Sequence, residues 1–158
     1  MTGYTLGAAS LKELNGVRPL LVGTIKRAIT ISKVDFTVHD GIRTIEEQRR
    51  YVAGGVSKTM KSKHLEGRAV DLVPWIDGKP RWWWPQIYQI AAAMCIASRE
   101  LKSAIVWGTV WDMRLADLAP GVTDIDKLAE ALKREGLAYN VRHAGSDFPD
   151  GPHFEITP

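Results

Sequence analysis

Cysteine is nearly absent from this chain: Cys95 is the only one in 158 residues. No intrachain disulfide can form, and a zinc site built from a cysteine cluster is excluded. No apolar run is long enough to cross a bilayer, and the opening MTGYTLGAASLKEL has neither a basic n-region nor an apolar h-region. The sequence therefore predicts no secretory signal and no integral membrane segment, with synthesis in a cytoplasm. Internal repeats and low-complexity linkers are missing. So are a glycine-rich phosphate loop, a Gly-x-Ser-x-Gly elbow and a His-Glu-x-x-His helix. Basic residues are scattered, with no run longer than two, as in Arg49-Arg50. The net charge of +3 is then a solvated surface with a small cationic excess, which suits an anionic polymer such as a cell wall but does not make a nucleic-acid binder.

What is present is an ordinary globular composition, 45% hydrophobic and 25% charged, at a length that suits one domain. Ser10-Leu11-Lys12-Glu13 has the form of a capping box and predicts a short helix there. Pro19 suits the first turn of a second helix, in which Leu21, Ile25, Ala28 and Ile29 share one face. Asp35 to Val38 reads as a strand stopped by Asp40-Gly41. Thr44-Ile45-Glu46-Glu47 is another capping box, opening a helix that ends at Gly54-Gly55. Residues 57–67 are polar and read as loop. Ala69 to Val73 is a strand closed by Pro74, and Asp77-Gly78 is a turn. Pro85 opens a helix to about Leu101, with Ile87, Ile90, Ala91 and Met94 inward. Ala104 to Trp107 is a strand, Thr123 to Gly136 a helix, and His153 to Ile156 a last strand. Short strands mixed irregularly with helices predict an α+β domain rather than a doubly wound sheet.

Two stretches carry chemistry. In KHLEGRAVDL, residues 63–72, Asp71 sits inside an apolar strand, with His64 seven residues earlier. Burying that charge is costly unless a partner neutralises it. An arginine, a backbone amide or a metal would each serve. In DGPHFEI, residues 150–156, Phe154 and Ile156 would face the core, and His153 and Glu155 the other side. Asp150 lies three residues before His153 across a Gly-Pro turn, where a general base could sit beside a metal ligand. His64, Asp71 and His153 supply two imidazoles and one carboxylate, a set that catalytic zinc commonly takes while leaving a fourth position for water. Cys95, mid-helix beside Met94 and Ile96, reads as a packing residue. Arg81-Trp82-Trp83-Trp84-Pro85 reads first as a helix entrance packed on the sheet, and second as a platform for sugars or lipid headgroups.

In this order, Gly41-x-Arg43-Thr44-x-x-x-Gln48, Gly55-x-Ser57…Ser62-x-His64, Asp71 and Asp150-x-x-His153-Phe154-Glu155 resemble the zinc-dependent peptidases of peptidoglycan stem peptides. That group joins D-Ala-D-Ala carboxypeptidases and dipeptidases with phage L-alanyl-D-glutamate endolysins, and the match runs from about Val17 to Ile156. The resemblance implies a hedgehog/D,D-peptidase-like fold, with a small central antiparallel sheet flanked by helices, in a single catalytic domain spanning 1–158. It implies Zn2+ held by His64, Asp71 and His153, with Asp150 as the general base. Arg43 would bind a substrate carboxylate or polarise the scissile carbonyl, and Gln48, Ser57 and Ser62 would contact substrate or brace the site. A surface salt bridge from Arg43 to Glu47 is the structural alternative.

One departure is plain. Where many members carry a Trp-Gly-Gly-Asp-Trp type segment, this chain reads Trp107-Gly108-Thr109-Val110-Trp111-Asp112, and a long stretch then precedes Asp150. His143 and Asp147 in that stretch are expected to be exposed loop residues. The leading expectation is a monomeric phage-type endolysin that cuts the L-Ala–D-Glu bond and reaches the wall after a separate membrane-lesion protein opens the way. The alternatives are a D,D-carboxypeptidase or dipeptidase, and a hedgehog-like module whose zinc is structural.

Overall fold

A computed structural model of the chain describes residues 3–144 and 149–158. The first helices are α1 (Ala8–Glu13) and α2 (Pro19–Ile31), followed by strand β1 (Phe36–Asp40) and helix α3 (Ile45–Ala53). A single turn of 3-10 helix at Lys63–Glu66 leads into β2 (Ala69–Ile76), β3 (Lys79–Pro80) and the long α4 (Trp84–Leu101). Next come β4 (Ile105–Trp107), β5 (Val110–Arg114), a 3-10 turn at Leu115–Asp117, α5 (Ile125–Arg142) and β6 (His153–Ile156). The sheet order is β1-β2-β6-β4-β5, antiparallel throughout, and β3 extends β2 as a hairpin. This is the α+β domain with a small antiparallel sheet that the sequence predicts.

One face of the sheet is the core. Val38, Val70, Leu72, Ile105, Trp107 and Phe154 are buried with Leu21, Ile25, Ile90, Ala91 and Met94 of the two packed helices. Cys95 belongs to it, donating its thiol to the Leu115 carbonyl at 3.2 Å, and burial pushes that thiol up to about 11. Asp71 and His153 stand opposite one another on β2 and β6 and project from the other face. Strand alternation thus puts apolar neighbours under the helices and polar ones over the cleft.

Several boundaries differ from expectation for identifiable reasons. Ser10 does not cap a helix. It lies inside α1, buried, its hydroxyl accepting from Val38 N–H at 3.0 Å and sharing a hydrogen bond with Thr37 Oγ1 at 3.0 Å. Pro74 does not close β2. Trp75 N–H donates to the Asp35 carbonyl on one edge, and the Pro74 carbonyl accepts from Arg81 N–H at 2.8 Å on the other, so the strand pairs past the proline through groups other than its missing N–H. Helix α5 runs through Gly136 to Arg142, because a Cβ at Gly136 would fall 2.6 Å from Thr109 Cγ2. That glycine lets the helix approach the β4–β5 turn and does not end it. Much of the long stretch before Asp150 is therefore a helix packed on α4. His143 lies in the turn that follows α5, where it stacks on Tyr139 and places Nε2 3.4 Å from Asp112 Oδ2. Asp147 lies outside the described residues.

Ser10→Ala leaves a buried Val38 N–H without its acceptor. Stability should fall by about 1–3 kcal/mol, read from the midpoint of urea unfolding with an unchanged slope. An unmoved midpoint would contradict the assignment.

Candidate metal and catalytic site

Each side chain of the site is placed by backbone that has few alternatives. Ser62 caps the 3-10 turn, its Oγ accepting from His64 N–H at 3.2 Å, and this sets His64 within the turn that precedes β2. Gly67, at φ 66°, turns the chain into the strand, and a Cβ there would meet the Gly16 carbonyl at 2.4 Å. Asp150 and His153 are tied to Gly108. Asp150 N–H donates to the Gly108 carbonyl at 2.8 Å, and Gly108 N–H donates to the His153 carbonyl at 2.8 Å. A Cβ on Gly108 would sit 2.3 Å from the Asp150 carbonyl oxygen and 3.0 Å from His153 Cβ. Buried Trp107 donates its indole N–H to Gly151 O at 2.7 Å, and the Trp111 ring lies 5.3 Å from that of His153. The Trp107-to-Trp111 segment therefore holds the Asp150–His153 turn from below and flanks the imidazole, despite its departure from the family pattern.

His64, Asp71 and His153 converge, with one ligand atom from each lying within 4.8 Å of the others. His64 Nδ1 contacts the Gly41 carbonyl at 2.9 Å. A carbonyl can only accept, so Nδ1 carries the proton, and in neutral His64 Nε2 offers its lone pair toward Asp71 Oδ1, 3.6 Å away. His153 Nε2 pairs with Glu155 Oε1 at 2.9 Å, which by the same reasoning turns Nδ1 toward Asp71 Oδ1 at 3.4 Å. Asp71 Oδ1 is itself buried without a hydrogen bond. Three electron-pair donors thus face one another, each imidazole oriented from behind by an oxygen, which is the usual setting of a metal-bound histidine. The donor set fits a divalent cation, and zinc by its two-nitrogen, one-oxygen character.

Charge in the site follows from this packing. Burial works against the Asp71 carboxylate, but the imidazoles of His153 and His64 beside it outweigh burial and hold the group well below the usual carboxylate range. For His153, burial opposes the charged form, while Asp71 and Glu155 push it up to about 9. Asp150 is raised, first by burial and then by the Asp71 charge. Glu155 is lowered: burial opposes this, and its bond to His153 prevails.

A cleft of about 570 Å³ opens over these groups, and its lining includes Arg43, Lys61 and Lys63 together with Asp71, Asp150 and Glu155. Arg43 does not pair with Glu47, which caps Thr44 instead. Its Nε donates to Asp40 Oδ2 at 3.1 Å, Nη2 donates to the same oxygen, and Nη1 donates to Gln48 Oε1 at 2.6 Å. The guanidinium also lies 4.4 Å over the Tyr51 ring. Gln48 is fully buried and spends its amide N–H groups on Ser57 Oγ and the Thr59 carbonyl. Ser57 and Ser62 line the cleft, and Ser62 Oγ lies 3.5 Å from Arg43 Nη1.

Asp40 and Glu155 were not singled out as site residues from the sequence. Alternation alone puts Asp40 on the core face with Val38. A bulge at His39 shifts the register so that Asp40 opposes Asp71, bringing it to the arginine. Glu155 could have been found: it shares the His153 face two residues on.

Fold and site together define a small α+β protein with a His/Asp/His group that could hold a cation, beside a second, partly buried carboxylate, Asp150. A sequence profile of the phage L-alanyl-D-glutamate peptidase family matches residues 2–122. The L-alanyl-D-glutamate peptidase of Escherichia phage T5 is 34% identical over 113 residues, 69% of this chain and 82% of that protein. The crystal structure of Serratia marcescens L-Ala D-Glu endopeptidase ChiX superposes with a TM-score of 0.68 at 33% identity, over 95% of this chain and 87% of that one. The chain belongs to the phage L-alanyl-D-glutamate peptidase family.

In protein stripped of metal ions by a chelator, the proton on His153 binds more tightly in the fold than at the ordinary histidine value of 6.5. Its stabilisation is complete below pH 6.5 and is lost as pH rises through about 9. Asp71, shifted the other way, contributes above its ordinary 3.8 and loses that only in stronger acid. The melting temperature of stripped protein should therefore fall between pH 6.5 and 9, and less so in His153→Gln. Equal slopes in the two proteins would contradict the arrangement.

Proposed function

We propose that this chain, as one catalytic domain spanning 1–158, is a zinc-dependent peptidoglycan endopeptidase that hydrolyses the L-alanyl–D-glutamate bond of the stem peptide. The observation that carries the metal reading is Asp71 Oδ1, buried without a hydrogen bond and faced by two imidazole nitrogens whose ring partners are already engaged. The bond is the one that the names of the phage T5 and Serratia relatives give for those proteins.

A zinc ion held by His64, Asp71 and His153 supplies Lewis acidity and lowers the pKa of a water molecule to about 7. Asp150 takes a proton from the attacking water as its oxygen adds to the L-Ala carbonyl carbon. When the C–N bond breaks, the same carboxyl returns that proton to the departing D-Glu amine. A carboxyl raised by burial and by Asp71, yet open to the cleft, suits both halves of this exchange. Arg43 uses three of its five N–H groups on Asp40 and Gln48. A fourth, on Nη1, lies 3.5 Å from Ser62 Oγ, and the guanidinium, pre-set by these partners, serves the D-Glu carboxylate or the developing oxyanion. Gln48 acts behind it, coupling the arginine to the Ser57 loop. Ser57 and Ser62 contact substrate from the cleft wall. Glu155 orients His153, and Lys61 and Lys63 give the rim a charge that attracts an acidic peptide.

No helix among the described residues is long and apolar enough to cross a membrane. We place the protein as a monomer that reaches the wall through a lesion made by a separate membrane protein.

Chelation should abolish cleavage of purified peptidoglycan, and added zinc should restore it. Asp150→Asn should keep its zinc by elemental analysis and lose turnover by about 10²- to 10⁴-fold. Mass spectrometry of the digest should show a new D-Glu amino terminus. Near-normal turnover in the variant would remove Asp150 from its role, and release of terminal D-Ala instead would make the enzyme a D,D-carboxypeptidase.

A further inference from the structure

The tryptophan cluster does not serve only to pack the entrance of α4. Trp82, Trp83 and Trp84 remain 52%, 48% and 38% exposed. Trp82 meets the ring of the bulged His39 edge-on at 5.1 Å, and Trp84 lies against Gly151, next to Asp150. Beside them is a groove of about 390 Å³ whose lining includes His39, Trp82, Trp84 and Ile87 together with Asp71 and Asp150. Those two carboxylates also line the reaction cleft. The two hollows share these carboxylates as lining: one also carries Arg43, Lys61 and Lys63, and the other His39, Trp82 and Trp84, with no lysine or arginine among its described lining residues.

The substrate has a matching asymmetry. On the D-Glu side of the scissile bond lie free carboxylates. On the L-Ala side, the alanine amine is acylated by the lactyl group of N-acetylmuramic acid, so that side continues into a neutral glycan. Sugar rings present C–H faces that stack on indoles, with hydroxyl and acetamido groups at their edges for polar neighbours such as His39. Aromatic walls with a few polar groups are the usual make-up of a ligand groove. Charge then fixes the direction: the acidic peptide lies among the lysines and the glycan among the tryptophans. An anionic lipid surface fits the groove poorly, because the carboxylates of Asp71 and Asp150 line it.

We propose that the His39–Trp82–Trp84 groove is a saccharide subsite that holds the muramoyl end of the substrate during cleavage. This rests on the peptidase reading above. The test compares kcat/KM of the zinc-loaded protein on two substrates: a disaccharide-linked stem peptide, and the same peptide with its alanine merely N-acetylated. The wild-type protein should favour the sugar-bearing substrate by roughly three- to tenfold, the scale of an aromatic contact. Trp82→Ala should bring that ratio close to one, and Trp82→Phe should keep much of it. No preference in the wild type, or a ratio unmoved by Trp82→Ala, overturns the subsite while leaving the peptidase intact. Cosedimentation with phosphatidylglycerol vesicles that depends on Trp82 would also overturn it, in favour of a lipid contact. Cleavage of neither substrate overturns the peptidase reading, and this inference with it.

Discussion

A single carboxylate oxygen sets the terms for this molecule. Asp71 Oδ1 lies on a central strand, buried and without a hydrogen bond, and two imidazole nitrogens face it. Neither imidazole is free to turn away, because the Gly41 carbonyl and the Glu155 carboxylate hold the opposite edges of the two rings. A charge placed there is tolerable when a cation sits among the three donors, or when an imidazole keeps an extra proton in its stead. The raised affinity of His153 for its proton is the second of these states. The surrounding fold reads as the apparatus that imposes this choice: a 3-10 turn sets His64, β2 sets Asp71, and a turn locked onto Gly108 sets Asp150 and His153.

Rigidity and chemistry are linked through backbone contacts that leave no room for a side chain. Gly67 and Gly108 each bring a carbonyl to within 2.4 Å of where a Cβ would be. Two distant stretches of chain are thereby brought into register from opposite directions. Arg43 is treated in the same manner. Its guanidinium is held by Asp40, Gln48 and the Tyr51 ring, so little side-chain freedom remains to be lost in the substrate contact proposed for it. The cost is that Asp40 competes with any incoming carboxylate for the same group.

Much of this was legible in the residues. An aspartate inside Ala69-Val70-Asp71-Leu72-Val73 announces a partner by burial alone, and strand alternation places His153 and Glu155 together away from the core. The capping box at Thr44 and the proline starts of α2 and α4 are local signals that tertiary packing had no reason to override. What was hidden depends on contacts between distant segments. Ser10 has the local chemistry of a cap and is instead spent on β1. Gly136 looks like a helix end and is a point of close approach. Asp40 comes to the site through a one-residue bulge that no periodicity reveals. The tryptophans after Arg81 have a composition that fits burial or binding equally well. Their exposure, and the groove that Trp82 and Trp84 line with Asp150, are what support the binding reading proposed above.

The central claim is that three side chains from two separate stretches of chain hold one metal ion. Isothermal titration of zinc into the purified, metal-stripped protein measures this directly. The account predicts one equivalent bound by the wild type, and loss of that event in Asp71→Ala with the fold retained by circular dichroism. Equal binding by the two proteins, or none by the wild type, would contradict it.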